Sequence, residues 1–159
     1  MRVSTPVGIS IDLEQEWFDV TDDVLGDNVP FTLEREQGSG AFQFSTGIYR
    51  SGTVPNPSPE DLGVMLLKFA ATRGLGNPYE VHYEASPILL AAATFRSDIF
   101  VRVWYISDGR SFGLLTLTSN LELDPQEIAD CERMARSVQF GTIEEGEQGI
   151  APNDRSTPQ

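Results

Sequence analysis

Chemistry in this chain has few places to start. His82 is the only histidine among 159 residues and stands in Glu80-Val81-His82-Tyr83-Glu84. On an extended strand Glu80, His82 and Glu84 share a face, and imidazole with two carboxylates is a competent ligand set for a divalent metal. Three positions two residues apart span about 13 Å, too far for one ion to reach all of them, so a solvated polar face is the better account. The same three residues are also candidate polar groups for a small-ligand or catalytic pocket at a sheet edge. No serine or cysteine motif points at His82. Cys131, the only cysteine, falls on the apolar stripe of a helix, where a thiol is usually an inert core residue.

Two further clusters invite a site. Asp19, Asp22, Asp23 and Asp27 lack the alternate spacing, the glycine and the closing glutamate of a calcium loop. Gly38-Ser39-Gly40 has the look of an anion cradle, but such a loop must open a helix, whose free N–H groups bind the anion. Here Phe42, Phe44, Thr46 and Ile48 alternate in strand fashion after it, so a hairpin turn is expected. Ser39 also lacks the flanking glycines of an esterase nucleophile elbow, having Gln37 and Ala41 there. Catalytic residues, a metal and a cofactor are therefore not assigned. Trp17, Phe18 and Tyr49, near the Pro-rich stretch Val54 to Pro59, are the aromatic candidates for a protein-binding patch, or else they cover the sheet as core.

The elements that must position these residues follow from periodicity. Ile9, Ile11 and Leu13 alternate with polar residues, as do Phe31, Leu33 and Arg35. Ser58 as N-cap, Pro59, and Asp61 three residues after the cap announce a helix with Leu62, Met65, Leu66 and Phe69 on one side and Gly74 as its stop. A strand from about Tyr79 through Phe95, bent or split at Pro87, comes next. Strands at Ile99–Ser107 and Ser111–Thr118 flank Asp108-Gly109, the strongest hairpin signal. A two-residue turn there would set Trp104 opposite Gly113. Val101, Val103, Tyr105, Phe112 and Leu114 fall on one face; Phe100, Trp104, Ile106, Leu115 and Leu117 fall on the other, as in a sheet covered on both sides. A second helix starts at Asp124-Pro125 with Glu127 completing a capping box; Ile128, Cys131, Ala135 and Val138 are its stripe and Gly141 its end.

This predicts one α+β domain over residues 1–141: a twisted, mostly antiparallel sheet of about six strands with two main helices packed on it. Residues 142–159 read as an acidic, disordered tail. The formal net charge is −13, which opposes nucleic-acid and anionic-membrane binding and suits a basic protein partner, or solubility alone. No apolar run approaches the ~20 residues of a membrane span, and the first residues lack a signal-peptide core, so a cytoplasmic location is expected.

With an early Trp17, the run Gly38-Ser39-Gly40-Ala41-Phe42-Gln43-Phe44-Ser45 and the capped start Ser58-Pro59-Glu60-Asp61, the order strand, strand, strand, helix, three strands, helix resembles the Mog1/PsbP-like fold. That group includes extrinsic photosystem subunits, a Ran-binding protein and small bacterial proteins of the DcrB type. The resemblance spans about residues 9–140 and implies a non-enzymatic binding module. The expected function is therefore a cytosolic protein-binding module, such as a bacterial immunity-type or accessory protein. The alternatives are a small-ligand binder or enzyme with a pocket near His82, and an acidic mimic of nucleic acid.

Overall fold

The computed structural model describes residues 1–24, 26, 29–120 and 122–141. Its strands and helices, in chain order, are β1 (Arg2–Ser4), β2 (Ile9–Asp12), β3 (Trp17–Asp19), β4 (Phe31–Arg35), β5 (Ala41–Gly47), α1 (Pro59–Arg73), β6 (Tyr79–Glu84), β7 (Leu89–Arg96), β8 (Phe100–Ser107), β9 (Phe112–Ser119), α2 (Pro125–Arg136) and β10 (Gln139–Phe140). Seven strands form one antiparallel sheet in the order β3-β4-β5-β9-β8-β7-β6, and β1-β2-β10 form a second, small one. The described residues are thus α+β, with two α-helices and a large antiparallel sheet. The expected tail falls on residues 142–159, outside those described. No helix among the described residues is long and apolar enough to cross a membrane.

The large sheet is apolar on both faces, and each face has its own cover. Helix α1 lays Leu62, Leu66 and Ala70 on Ala91, Ala93, Phe95, Val101 and Val103. On the opposite face α2 and the small sheet bring Cys131, Met134, Ala135, Ile9 and Ile11 onto Phe42, Phe44, Trp104, Leu115 and Leu117. The centre of that second core is aromatic. Phe42 lies 4.6 Å from Phe44, 5.4 Å from Trp104 and 6.3 Å from Trp17, ring centre to ring centre. The Trp17 and Trp104 contacts to Phe42 are edge-on, and such pairs add roughly 0.5–1.5 kcal/mol each beyond the area they bury.

Both helices begin as their sequences dictate. The Ser58 hydroxyl accepts from the Asp61 amide while the Asp61 carboxylate accepts from the Ser58 amide, and Pro59 occupies the first helical position, where no N–H is needed. Asp124 and Glu127 make the same box at α2. Gly74 closes α1 with φ of 65°, a left-handed conformation that glycine adopts without strain.

Four expectations need correction. The sheet has seven strands rather than about six, with a separate three-stranded sheet beside it, because β1, β3 and β10 are only three, three and two residues long. Segments that short show no periodicity. The stretch from Tyr79 to Phe95, read as one strand bent or split at Pro87, is split there into two strands paired as a hairpin. Helix α2 ends at Arg136 with Ser137 as its cap, and Gly141 instead follows β10, donating to the Gly8 carbonyl.

The fourth correction is a register. Trp104 faces Leu115, and Gly113 faces Ile106. The loop is four residues long because side chains close it. Asp108 Oδ1 accepts from the amides of Arg110 and Ser111, and Ser107 Oγ bridges the Gly109 amide and the Ser111 carbonyl. The slip is two residues, so both apolar faces are as expected: strand side chains repeat every second position.

Candidate functional site

Helix α1 packs chiefly on β6, β7 and β8. The rest of that sheet face is open, and β9 records the change. Gly113, Leu115, Leu117 and Ser119 are buried, whereas Phe112, Leu114, Thr116 and Thr118 are half-buried. Register carries the row outward: Gln43 stands between Thr32 and Thr116, Ala41 between Glu34 and Thr118, and Phe18 opposite Glu34. The open half-sheet is a polar floor running from the foot of α1 to the β3 edge.

A cavity of about 340 Å³ occupies the inner part of this floor. Gln43, Ser45, Thr116 and Thr118 provide its polar side, and Phe69, Leu75, Ile99 and Leu114 its apolar side. Arg73, in the last turn of α1, is the one charged residue lining it, with its guanidinium 4.9 Å from the Phe69 ring centre. Nothing in the sequence analysis singled out these residues. The available signal was the change from Leu114 to Thr116 and Thr118 along one of the two faces read as covered.

The outer end of the floor is an open strand edge. Phe18 is 52% exposed there. Glu16, Asp19, Asp22, Asp23, Glu34 and Glu36 are exposed around it. Of these six, only Glu16 has an ion-pair partner among the described residues, Arg35 at 3.8 Å. Arg35 lies on the other face of β4, toward Asp124 and Asp130. Trp17, next in the chain, also lies on that other face. It is 2% exposed, stacks edge-on against Phe42 and donates from Nε1 to Asp130 Oδ2 at 2.9 Å. Of the three aromatic candidates, then, Trp17 is core and Phe18 is surface. Tyr49 sits beyond the end of β5, its hydroxyl on the Gly52 carbonyl and the Arg110 guanidinium over its ring.

The His82 strand is built differently from the expectation. His82 and Glu84 share a face, opposite Ala92 and Leu90, and His82 Nε2 is 2.6 Å from Glu84 Oε2. A bulge between Tyr79 and His82, with Glu80 at φ of 53°, removes Glu80 from that row. Glu80 contributes its carbonyl, which accepts from Arg102 Nη1. Glu84 accepts from Arg136 Nε at 2.9 and 3.0 Å, and this guanidinium, with His82 adding to it, holds the carboxyl down at about 2. The Arg136 guanidinium is raised in turn by Glu84.

The chain of charges continues inward. Glu132 accepts from Trp104 Nε1 at 2.6 Å and from Arg102 Nε and Nη2 at 3.3 and 3.1 Å, and Arg102 also donates to Thr94. These pairs pin α2 to β6 and β8. Neither the 340 Å³ cavity nor a second one of about 420 Å³ between the β6–β7 turn and the residues after α2 is lined by His82, Glu80 or Glu84. Glu84 ties α2 to the sheet edge with His82 beside it, and neither lines these two cavities.

The Gly38-Ser39-Gly40 turn does hold an anion, but an internal one. Glu127 Oε1 accepts from the amides of Ser39 and Gly40 at 3.0 and 3.1 Å. A Cβ added at Gly38 would stand 2.6 Å from that oxygen, so the turn is glycine because the carboxylate comes so close. The turn is a hairpin, as expected, and it also anchors α2. Cys131 is fully buried, and burial, with Asp130, Glu127 and Glu132 nearby, raises its thiol well above the ordinary value. It is core rather than a nucleophile.

No family model matches this chain, and no curated protein matches it. Among solved structures, a crystal structure from Bacteroides thetaiotaomicron VPI-5482 is similar, with a TM-score of 0.56 and 11% identity over 89% of this chain. The match covers 48% of that protein, so the chain spans about half the length of its structural relative. At this identity the likeness is one of fold.

Proposed function

We propose that this chain is a non-enzymatic protein-binding module that engages a basic partner along the β3 edge, with Phe18 as the apolar anchor. The observation that carries this is a half-exposed phenyl ring on an open strand edge, framed by six carboxylates of which only Glu16 has a basic partner among the described residues. Aromatic anchors dominate interface energetics when a partner buries them, and unpaired charge around them speeds encounter with a surface of opposite sign. An open edge strand can also extend its ladder to a partner's strand. An immunity-type or accessory protein of the bacterial cytoplasm, on a Mog1/PsbP-like scaffold, is the concrete form of this reading. The phenyl ring among the acids suits a protein partner better than a surface that imitates phosphate charge.

The test is affinity capture from native lysate with the full chain, the Phe18→Ala variant and the Glu34→Lys/Glu36→Lys variant. A partner retained at low salt should be lost from both variants, and also at about 1 M salt, where charges are screened beyond ~3 Å. Recovery of the same proteins by wild type and both variants would remove the β3 edge from consideration.

A further inference from the structure

We propose that the cavity between the end of α1 and the open half-sheet binds a small monoanion with an apolar body, such as a medium-chain or aryl-substituted carboxylate. This site is separate from the β3-edge surface and does not depend on it. Its volume of about 340 Å³ is at the low end of the ~300–1,000 Å³ typical of small-molecule sites. Its walls divide by chemistry as such sites do. Phe69, Leu75 and Leu114 offer an apolar side, and Gln43, Thr116 and Thr118 a polar one.

Those polar groups have capacity to spare. The Thr116 and Thr118 hydroxyls have no hydrogen-bond partner among the described residues, and Gln43 makes a single 3.3 Å contact to Thr32. Charge then selects the ligand. The chain carries 24 acids against 11 bases, yet the one charged residue lining this cavity is a cation. Arg73 makes no ion pair or side-chain hydrogen bond among the described residues; its recorded contact is the face of Phe69. A guanidinium has five N–H donors in a planar fork that matches a carboxylate. Its position in the last turn of α1 accounts for a basic residue there. It does not account for the row of hydroxyl and amide groups across the cavity. One guanidinium matches one negative charge, and Glu34 on the same sheet face opposes a second.

The experiment is a titration of the isotopically labelled full chain, followed by amide chemical shifts, with octanoate and phenylpropionate as carboxylate probes and octanol as the uncharged match. Saturable shifts are expected at Gln43, Leu75, Thr116 and Thr118 with the carboxylates. Arg73→Gln should weaken carboxylate binding about ten-fold, on the scale of one charge-assisted bond, and leave octanol within about two-fold. Thr116→Val should also weaken the carboxylates, and it carries the test if Arg73→Gln melts early. The proposal fails if no carboxylate shift saturates by about 10 mM probe, where a site with a Kd of about 1 mM is about nine-tenths filled. It fails equally if the shifts map elsewhere, or if Arg73→Gln affects octanol and octanoate alike.

Discussion

Replacing Glu127 with alanine should cost this protein a large part of its stability, although the residue is a charged one on a helix. The side chain is 1% exposed, and its Oε1 is the acceptor for two backbone amides in the Gly38-Ser39-Gly40 turn. Alanine would leave both amides without an acceptor, since Leu117 and Leu123 crowd the space beside Gly40. Each buried donor left unsatisfied costs about 1–3 kcal/mol, so the pair amounts to about 2–6 kcal/mol, toward the lower end because the Ser39 amide is only part-buried. Domains of this size are stable by only about 5–15 kcal/mol in total. Glu127→Gln keeps a neutral oxygen acceptor for the turn and loses the charge assistance and the long Asp124 amide bond of the capping box, for about 1–2 kcal/mol. Trp17 and Trp104 are both buried, so their fluorescence reports urea unfolding directly. The midpoint should fall in the order wild type, Gln, Ala, with the slope unchanged. A loss below about 1 kcal/mol for Ala, or equal losses for Ala and Gln, would show that the turn does not depend on this carboxylate.

Two further outcomes follow from the charge network and the core. Glu84 has its carboxyl lowered from 4.5 to about 2 in the folded state, chiefly by Arg136. It therefore stabilises the fold above pH 4.5, and that contribution disappears as pH falls toward 2. Because the group is partly solvated, about 1–2 kcal/mol is at stake, and Glu84→Gln should flatten urea midpoints across this window; an unchanged pH slope would contradict the assignment. Cys131 is fully buried with its thiol raised, so a thiol reagent at about pH 8 should label the native chain far more slowly than the urea-unfolded one. Immediate stoichiometric labelling of the native chain would place that side of α2 in solvent.

The sequence alone determined whatever is local or strictly periodic. Ser58, Pro59 and Asp61, then Asp124, Pro125 and Glu127, fix both helix starts because a cap needs only residues within one turn. The two apolar faces of β8 and β9 were legible from alternation, and they survived a two-residue error in register because a slip by an even number keeps every side chain on its face. Long-range pairing decided the rest. No local pattern says that Glu127 completes the Gly38–Gly40 turn, 87 residues earlier at Gly40, nor that a bulge turns Glu80 out of the His82 row. The half of the sheet that α1 leaves open depends on strand order and on where one helix lands. Chain neighbours carry no information about either, so the cavity at Arg73 and the exposed edge at Phe18 exist only in the assembled tertiary structure.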